Sequence, residues 1–345
     1  MTSLKKPADL KTLLRRYSVA LILLLMCAVL ALLSRRFLNA TNLINIALQT
    51  SIVALVAIGM TFTILTGGID LSVGSLVALC GAVAAGLVTR SGFPVAAAFA
   101  AAILTGCAFG TINGLLIVKG NIPPFVATLS MMAVARGLTL VYTQGKPIAG
   151  MGDAFVFWGT AKLGPIPVPV LILLLIFLLS YLVLHHTRFG LHIYAIGGNE
   201  DTARLAGIKN ELTKIAVYVI SGFTAALAGV LLTARLWSAQ PTAGIGLELE
   251  AIASTVLGGT SLMGGSGGTG GTIVGAFIMG VLSNGLNLLE VPAYYQRIVK
   301  GIIFILAVML DLYTKRVRGS RQLLFGQLKE ATGSKGNFGE PPKEP

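Results

Sequence analysis

Long apolar runs, each closed by a short cluster of polar residues or glycines, alternate along most of the chain. Many approach the roughly 20 residues that cross a bilayer as a helix. The first, Tyr17 to Leu33, follows Lys5, Lys6, Lys11, Arg15 and Arg16. It exceeds the ~7–15 residue core of a secretory signal and has no clear small-x-small cleavage site, so it reads as a span. From Phe37 to Ser51, Asn42, Asn45 and Gln49 recur at helical spacing while Leu43, Ile46 and Ala47 fall on another face. That segment is either an interfacial helix or the tilted start of a second span ending near Thr66. In TGGIDLSVGS two glycines break the helix, Asp70 follows, and a third span resumes to about Val88. The fourth, Pro94 to Val118, carries Gly106, Gly110 and Gly114 four residues apart, a spacing that lets helix backbones approach closely in lipid. Beyond Lys119 and Pro123–Pro124 a fifth span, containing Arg136, reaches Tyr142.

A polar loop from Gln144 to Pro169 precedes the sixth span, Val170 to Leu184, and the seventh is Ile215 to Ala234. The eighth lies beside Glu248 and Glu250 and ends in VLGGTSLMGGSGGTGGT; Ile273 to Leu289 and Tyr294 to Leu312 are the ninth and tenth. Setting aside the first and sixth, spans two to five and seven to ten form two blocks of four, each with a glycine-broken turn after an early helix. An inverted repeat would account for this arrangement. The fold class is therefore all-α: a polytopic membrane helical bundle of about ten transmembrane helices, or eight if the glycine-broken segments are re-entrant. Residues 1–16 form a basic N-terminus, 17–313 the transmembrane domain with a central loop at 185–214, and 314–345 a disordered tail.

Composition agrees with this pattern. Only 11% of residues are charged and mean hydropathy is +0.84, whereas soluble domains carry about 25% charged residues. The formal charge of +13 raises nucleic acid as a partner. The Lys and Arg residues flank apolar runs, however, as topology determinants do, so the partner they indicate is the lipid bilayer, not nucleic acid. Their concentration at the N-terminus, in the central loop and in the tail places all three in the cytoplasm. Cys27, Cys80 and Cys107 fall inside spans without paired spacing, and His185, His186 and His192 lack a converging carboxylate or thiol. Neither a disulfide framework nor a metal site is expected.

The central loop, His185 to Lys214, is a long polar interruption near the middle of the chain. Within it GGNEDTARLAGI predicts a very short helix: Asn199 as N-cap, Glu200 and Asp201 where the helix dipole favours acids, Glu200 and Arg204 at i,i+4, and Gly207 as the left-handed stop. Isolated helices below about 12–15 residues are marginal, so this one either docks on a partner or serves as a solvated connector.

The chemistry within the spans is sparse. GGSGGTGG (Gly264 to Gly271) lacks the Lys-Ser/Thr ending of a P-loop, so the chain is not expected to hydrolyse ATP. No paired carboxylates, Ser-His-Asp set or HExxH appears, and an enzyme is not expected. The spans carry scattered polar groups, Asp70, Ser72, Asn113, Thr128, Arg136, Ser283, Asn284 and Asn287. They suit either a weakly binding path for a polyhydroxylated solute or hydrogen-bonded glue between helices. A proton-coupled symporter and a non-transporting scaffold are the competing classes. The scarcity of mid-membrane ionisable relays weighs against the symporter.

AIGMTFTILTGGIDLSVGSLVAL (Ala57 to Leu79), PPFVATLSMMAVARGLTLVYTQGKPI (Pro123 to Ile148), HHTRFGLHIYAIGGNEDTARLAGI (His185 to Ile208), ARLWSAQPTAGIGLELEAIASTVLGGTSLMGG (Ala234 to Gly265) and NGLNLL (Asn284 to Leu289) together resemble the membrane permease subunits of ribose-type sugar ABC importers. The resemblance runs from about Phe37 to Asp311. It implies a bacterial inner-membrane protein that imports a monosaccharide by alternating access. It also implies pairing with a second permease, identical or homologous, a cytoplasmic ABC ATPase that binds ATP and Mg2+, and an extracytoplasmic sugar-binding protein; this chain itself would bind no cofactor. By the same resemblance Gly197, Gly198, Asn199, Glu200, Ala203, Arg204, Leu205 and Gly207 would contact the ATPase as a coupling helix.

Overall fold

The structure, a computed structural model, describes residues 18–309 and residue 311. The basic segment 1–16, the tail 314–345 and the end of the tenth apolar run lie outside the described residues. In chain order the helices are α1 (Ser18–Leu33), α2 (Ala40–Leu65), α3 (Val73–Ser91), α4 (Val95–Val118), α5 (Pro124–Thr143), α6 (Asp153–Thr160), α7 (Val168–His186), α8 (Arg188–Gly198), α9 (Glu200–Leu205), α10 (Asn210–Leu236), α11 (Leu247–Leu257), α12 (Thr269–Leu288) and α13 (293–309). Among the described residues seven of these are long and apolar enough to cross a membrane: α2, α3, α4, α5, α7, α10 and α12. The shorter α1 is apolar as well.

Asn39 caps α2 by accepting a hydrogen bond from Thr41 N (3.1 Å), and the helix then runs unbroken to Leu65. The segment around Asn42 is thus the start of the second span and not a separate interfacial helix. The eighth run departs from expectation. Its helix, α11, has 11 residues, about 16 Å at ~1.5 Å per residue against a ~30 Å hydrocarbon core, so it is a half-length helix. Gly259, Gly264, Gly265 and Gly267 all take positive φ, which side chains rarely tolerate, and the backbone stays irregular until Thr269. The loop from Gln144 to Pro169 also holds structure that its polarity concealed. Phe155 of α6 meets Phe99 of α4 edge-on at 5.1 Å, and Ile148–Ala149 (β1) pairs antiparallel with Ser238–Ala239 (β4). Lys162–Leu163 (β2) and Ile166–Pro167 (β3) form a small hairpin.

α10 is the central helix and packs on α2, α3 and α4. Along its seam with α4 the glycine spacing does what the sequence suggested. A Cβ on Gly106 would meet Gly222 O at 2.3 Å and one on Gly110 would meet Tyr218 O at 2.3 Å. The two backbones touch with no side chain between them. α4 lies on α10 as α12 lies on α2, α3 lies on α10 as α11 lies on α2, and α3 meets α4 as α11 meets α12. Exchanging the two blocks of helices leaves this packing pattern unchanged, as an internal repeat requires. α3 and α11 also begin side by side: a Cβ on Gly74 would meet Gly244 O at 2.4 Å. By contrast α7 exposes Leu174, Leu175, Leu178 and Leu182, an apolar surface suited to lipid.

Candidate functional site

α9 forms as its residues predict. Asn199 Oδ1 accepts a hydrogen bond from Thr202 N (2.8 Å), and Gly207 takes φ +82° after the last turn. The expected Glu200–Arg204 pair does not form. Glu200 Oε1 accepts from Lys214 Nζ at 2.6 Å, while Arg204 lies 3.5 Å from Asp201. The half-buried Lys214 offers Glu200 a nearer and less solvated partner, on α10, than Arg204 offers along the helix. Asn210 Nδ2 also donates to Glu200 O (2.8 Å), so the start of α9 is tied to the start of α10. Ala203 is buried against the body, whereas Leu205 is 90% exposed and the side chains of Asp201 and Arg204 are 87% and 69% exposed. The helix therefore presents two opposite charges and a leucine outward from a fixed base. Lys214 and Asn210 escaped the sequence reading; their only signal was a polar pair at the mouth of an apolar run.

The preceding helix, α8, was not expected, since its polar residues obscured an apolar stripe. Thr187 Oγ1 caps it by accepting from Gly190 N (3.2 Å), and Ile193 and Ile196 are buried. Tyr194 OH donates to Gly267 O (2.8 Å), and burial raises its phenol above the usual tyrosine range. At the end of α8, a Cβ on Gly197 would fall 1.8 Å from Leu65 O and 2.4 Å from Gly265 N, whereas one on Gly198 would meet nothing within 4 Å. Gly265 N itself donates to Leu65 O (2.9 Å). The C-terminus of α2, the glycine-rich stretch before α12 and the base of α9 thus converge on Gly197. Beside this platform α9, α10 and the end of α4 enclose a polar cavity of about 720 Å3, with Asn121, Glu200, Arg204, Lys209 and Lys214 in its wall.

The polar residues of the spans separate into groups. Asp70, Ser72 and Asn113 form one fully buried cluster. Asp70 Oδ1 accepts from Ser72 N (3.0 Å) and Ser72 Oγ (2.6 Å), Oδ2 accepts from Ser221 Oγ of α10 (2.7 Å), and Asn113 Nδ2 donates to Ser72 Oγ (2.9 Å). Thr128 is buried beside it, its hydroxyl within reach of Ile69 O (3.2 Å) and Pro124 O (2.9 Å). The glycine break between α2 and α3 is thereby fixed to α4, α5 and α10. Arg136 stands apart and donates through Nη1 to Pro241 O (2.7 Å) and Ala243 O (2.9 Å), holding the loop that leads into α11. Asn284 exchanges reciprocal amide hydrogen bonds with Asn42 (2.8 and 3.0 Å), joining α12 to α2. Asn287 Oδ1 accepts from Gln296 (2.8 Å), and Ser283 turns back to Met279 O. Each of these polar side chains is hydrogen-bonded within the chain.

Residues 42–308 match the family model described as the branched-chain amino acid transport system / permease component. The chain is 51% identical to the ribose import permease protein RbsC of Escherichia coli K12 over 84% of its own length and 91% of that protein's. It is 48% identical to RbsC of Bacillus subtilis 168, covering 84% and 90%. The D-allose transport system permease protein AlsC of E. coli K12 is 41% identical, with 89% and 94% covered. No solved structure matches the chain.

Proposed function

From the premise that this chain belongs to the branched-chain amino acid transport system / permease component family, we propose that it is the membrane subunit of an ATP-binding-cassette importer for ribose or a related monosaccharide. Relatives named for ribose import and for allose and xylose transport support the substrate class. The observation that carries the mechanism is α9: a capped helix anchored through Glu200 to Lys214, with Asp201, Arg204 and Leu205 projecting outward. Leu205, 90% exposed on this anchored helix, is suited to a docking surface, and an ABC ATPase in the cytoplasm supplies one. ATP and Mg2+ belong to that partner. The N-terminus, the central loop and the C-terminus all lie on its side of the bacterial inner membrane. A sugar-binding protein on the other side delivers the solute, and two permeases, identical or homologous, complete the path. Closure of the ATPase pair pushes α9, the anchored base passes the movement to α10 and the glycine-rich stretch, and the two blocks of helices rock to open the path to either side in turn.

The test is reconstitution with the ATPase and the binding protein, measuring ATP-dependent uptake of labelled ribose. Glu200→Ala combined with Arg204→Ala is expected to uncouple ATP hydrolysis from uptake while leaving the protein folded. Normal uptake with normal stimulated hydrolysis in that double variant would sink the assignment of α9. Uptake by this chain alone, driven by a proton gradient, would overturn the importer reading as a whole.

A further inference from the structure

A second charged group lies away from both α9 and the Asp70 cluster. Glu250 of α11 and Lys300 of α13 form a salt bridge in which each side chain is 23% exposed. The pair is neither sealed in the core nor free in solvent. It borders a cavity of about 400 Å3 whose wall also includes Leu249, Gln296, Arg297 and Phe304. Glu250 reaches a second, smaller cavity of about 240 Å3 as well, together with Gln49 of α2 and Arg235 of α10. Glu250 thus stands between two spaces that share this flank of the bundle.

Ionisable side chains within a transmembrane bundle are costly in hydrocarbon and are found facing water, protein or one another. Arg235, Glu250, Arg297 and Lys300 all border one flank, with Gln49 and Gln296 beside them. The outer side of α13 exposes Ile298, Ile302, Ile305 and Leu306, much as α7 exposes its leucines, whereas Glu250 and Lys300 face one another at the edge of the cavity. Its chemistry is also selective. A carboxylate accepts, an ammonium donates and an amide does both, while Phe304 and Leu249 offer apolar faces. The hydroxyls of a neutral polyol can donate to the carboxylate and accept from the ammonium. A cation would be opposed by Lys300, Arg297 and Arg235. The volume lies within the ~300–1,000 Å3 of small-molecule sites.

We infer that this cavity is a way-station for sugar inside the membrane, in which Glu250 and Lys300 exchange their mutual contact for hydrogen bonds to the hydroxyls of the passing solute. The inference deepens the proposed importer function and rests on it. It adds two residues, absent from the polar groups first singled out, that touch the cargo.

The experiment uses the complete reconstituted importer with D-ribose as the probe. Glu250→Gln and Lys300→Met are each expected to lower ribose flux about tenfold, as loss of a hydrogen bond to a charged group implies, with binding-protein-stimulated ATP hydrolysis retained. In a chain lacking Cys27, Cys80 and Cys107, Glu250→Cys should react with a water-soluble thiol reagent, and saturating ribose should slow that reaction. A structural tether is distinguished by the apolar double Glu250→Met with Lys300→Met and by the charge-swapped Glu250→Lys with Lys300→Glu. Full flux in either double overturns the inference, as does failure of both to assemble, because the pair is then a folding element. Assembled doubles without flux support it. Absence of ribose flux in the unaltered importer would overturn the proposed function instead, whereas normal flux in the unaltered importer and in a double overturns this inference alone.

Discussion

Gly197→Ala is the sharpest perturbation available at the platform. The added methyl would sit 1.8 Å from Leu65 O and 2.4 Å from Gly265 N, below the 3.0 Å that real Cβ atoms respect. Both obstacles are backbone, and they are hydrogen-bonded to each other, so neither can rotate aside as a side chain would. Relief requires α8 to lift away from the end of α2, or Gly265 to release Leu65. Overpacking of this kind costs about 1–3 kcal/mol. The adjacent Gly198→Ala meets nothing within 4 Å and serves as the matched control for composition and helix propensity. The assay is twofold: thermal unfolding of the detergent-solubilised protein, and the ratio of ribose transported to ATP hydrolysed in proteoliposomes. Gly197→Ala should lower the unfolding midpoint, the transport ratio or both, with Gly198→Ala close to the unaltered chain. Equal behaviour of the two variants in both assays would refute the claim that α8 is seated on these backbone groups.

Two further outcomes follow from geometry already described. Asn199→Ala removes the hydrogen bond to Thr202 N (2.8 Å), a cap worth about 1 kcal/mol; it should impair coupling without changing expression, and Asn199→Asp should restore coupling, both checked by the transport-to-hydrolysis ratio. Asp70→Ala leaves the Ser221 hydroxyl and the Ser72 groups buried without their acceptor, at about 1–3 kcal/mol for each stranded group; thermal unfolding should show a drop larger than that of Thr105→Ala, whose hydroxyl bonds only within its own helix.

What the sequence disclosed, and what it withheld, divides along physical lines. Apolar length is a local property, and α1, α4, α5 and α7 begin and end close to where the polar clusters place them, whereas α10 starts five residues ahead of its apolar run. Capping is local too, so Asn199 and Gly207 were legible. The shortness of α11 was not, because its apolar run continues through glycines whose positive φ emerges only in the folded chain. α6 and α8 were hidden because a few buried aromatic or isoleucine side chains hold them to the body, and such contacts lie across helices. The partner of Glu200 is a matter of distance in space: i,i+4 spacing favoured Arg204, yet Lys214 lies closer and is better shielded. For the same reason Ser221 could not be joined to Asp70, 151 residues away.

The irregular stretch between α11 and α12 is held by Gly265 N to Leu65 O, by Tyr194 OH to Gly267 O, by the packing of Leu262 on the main core and by the burial of Thr260 and Ser261. Its positive-φ glycines bring the end of α2, the end of α8 and the approach to α12 together on one patch of bare backbone, so a displacement of α8 would reach both blocks of helices with no side chain in between.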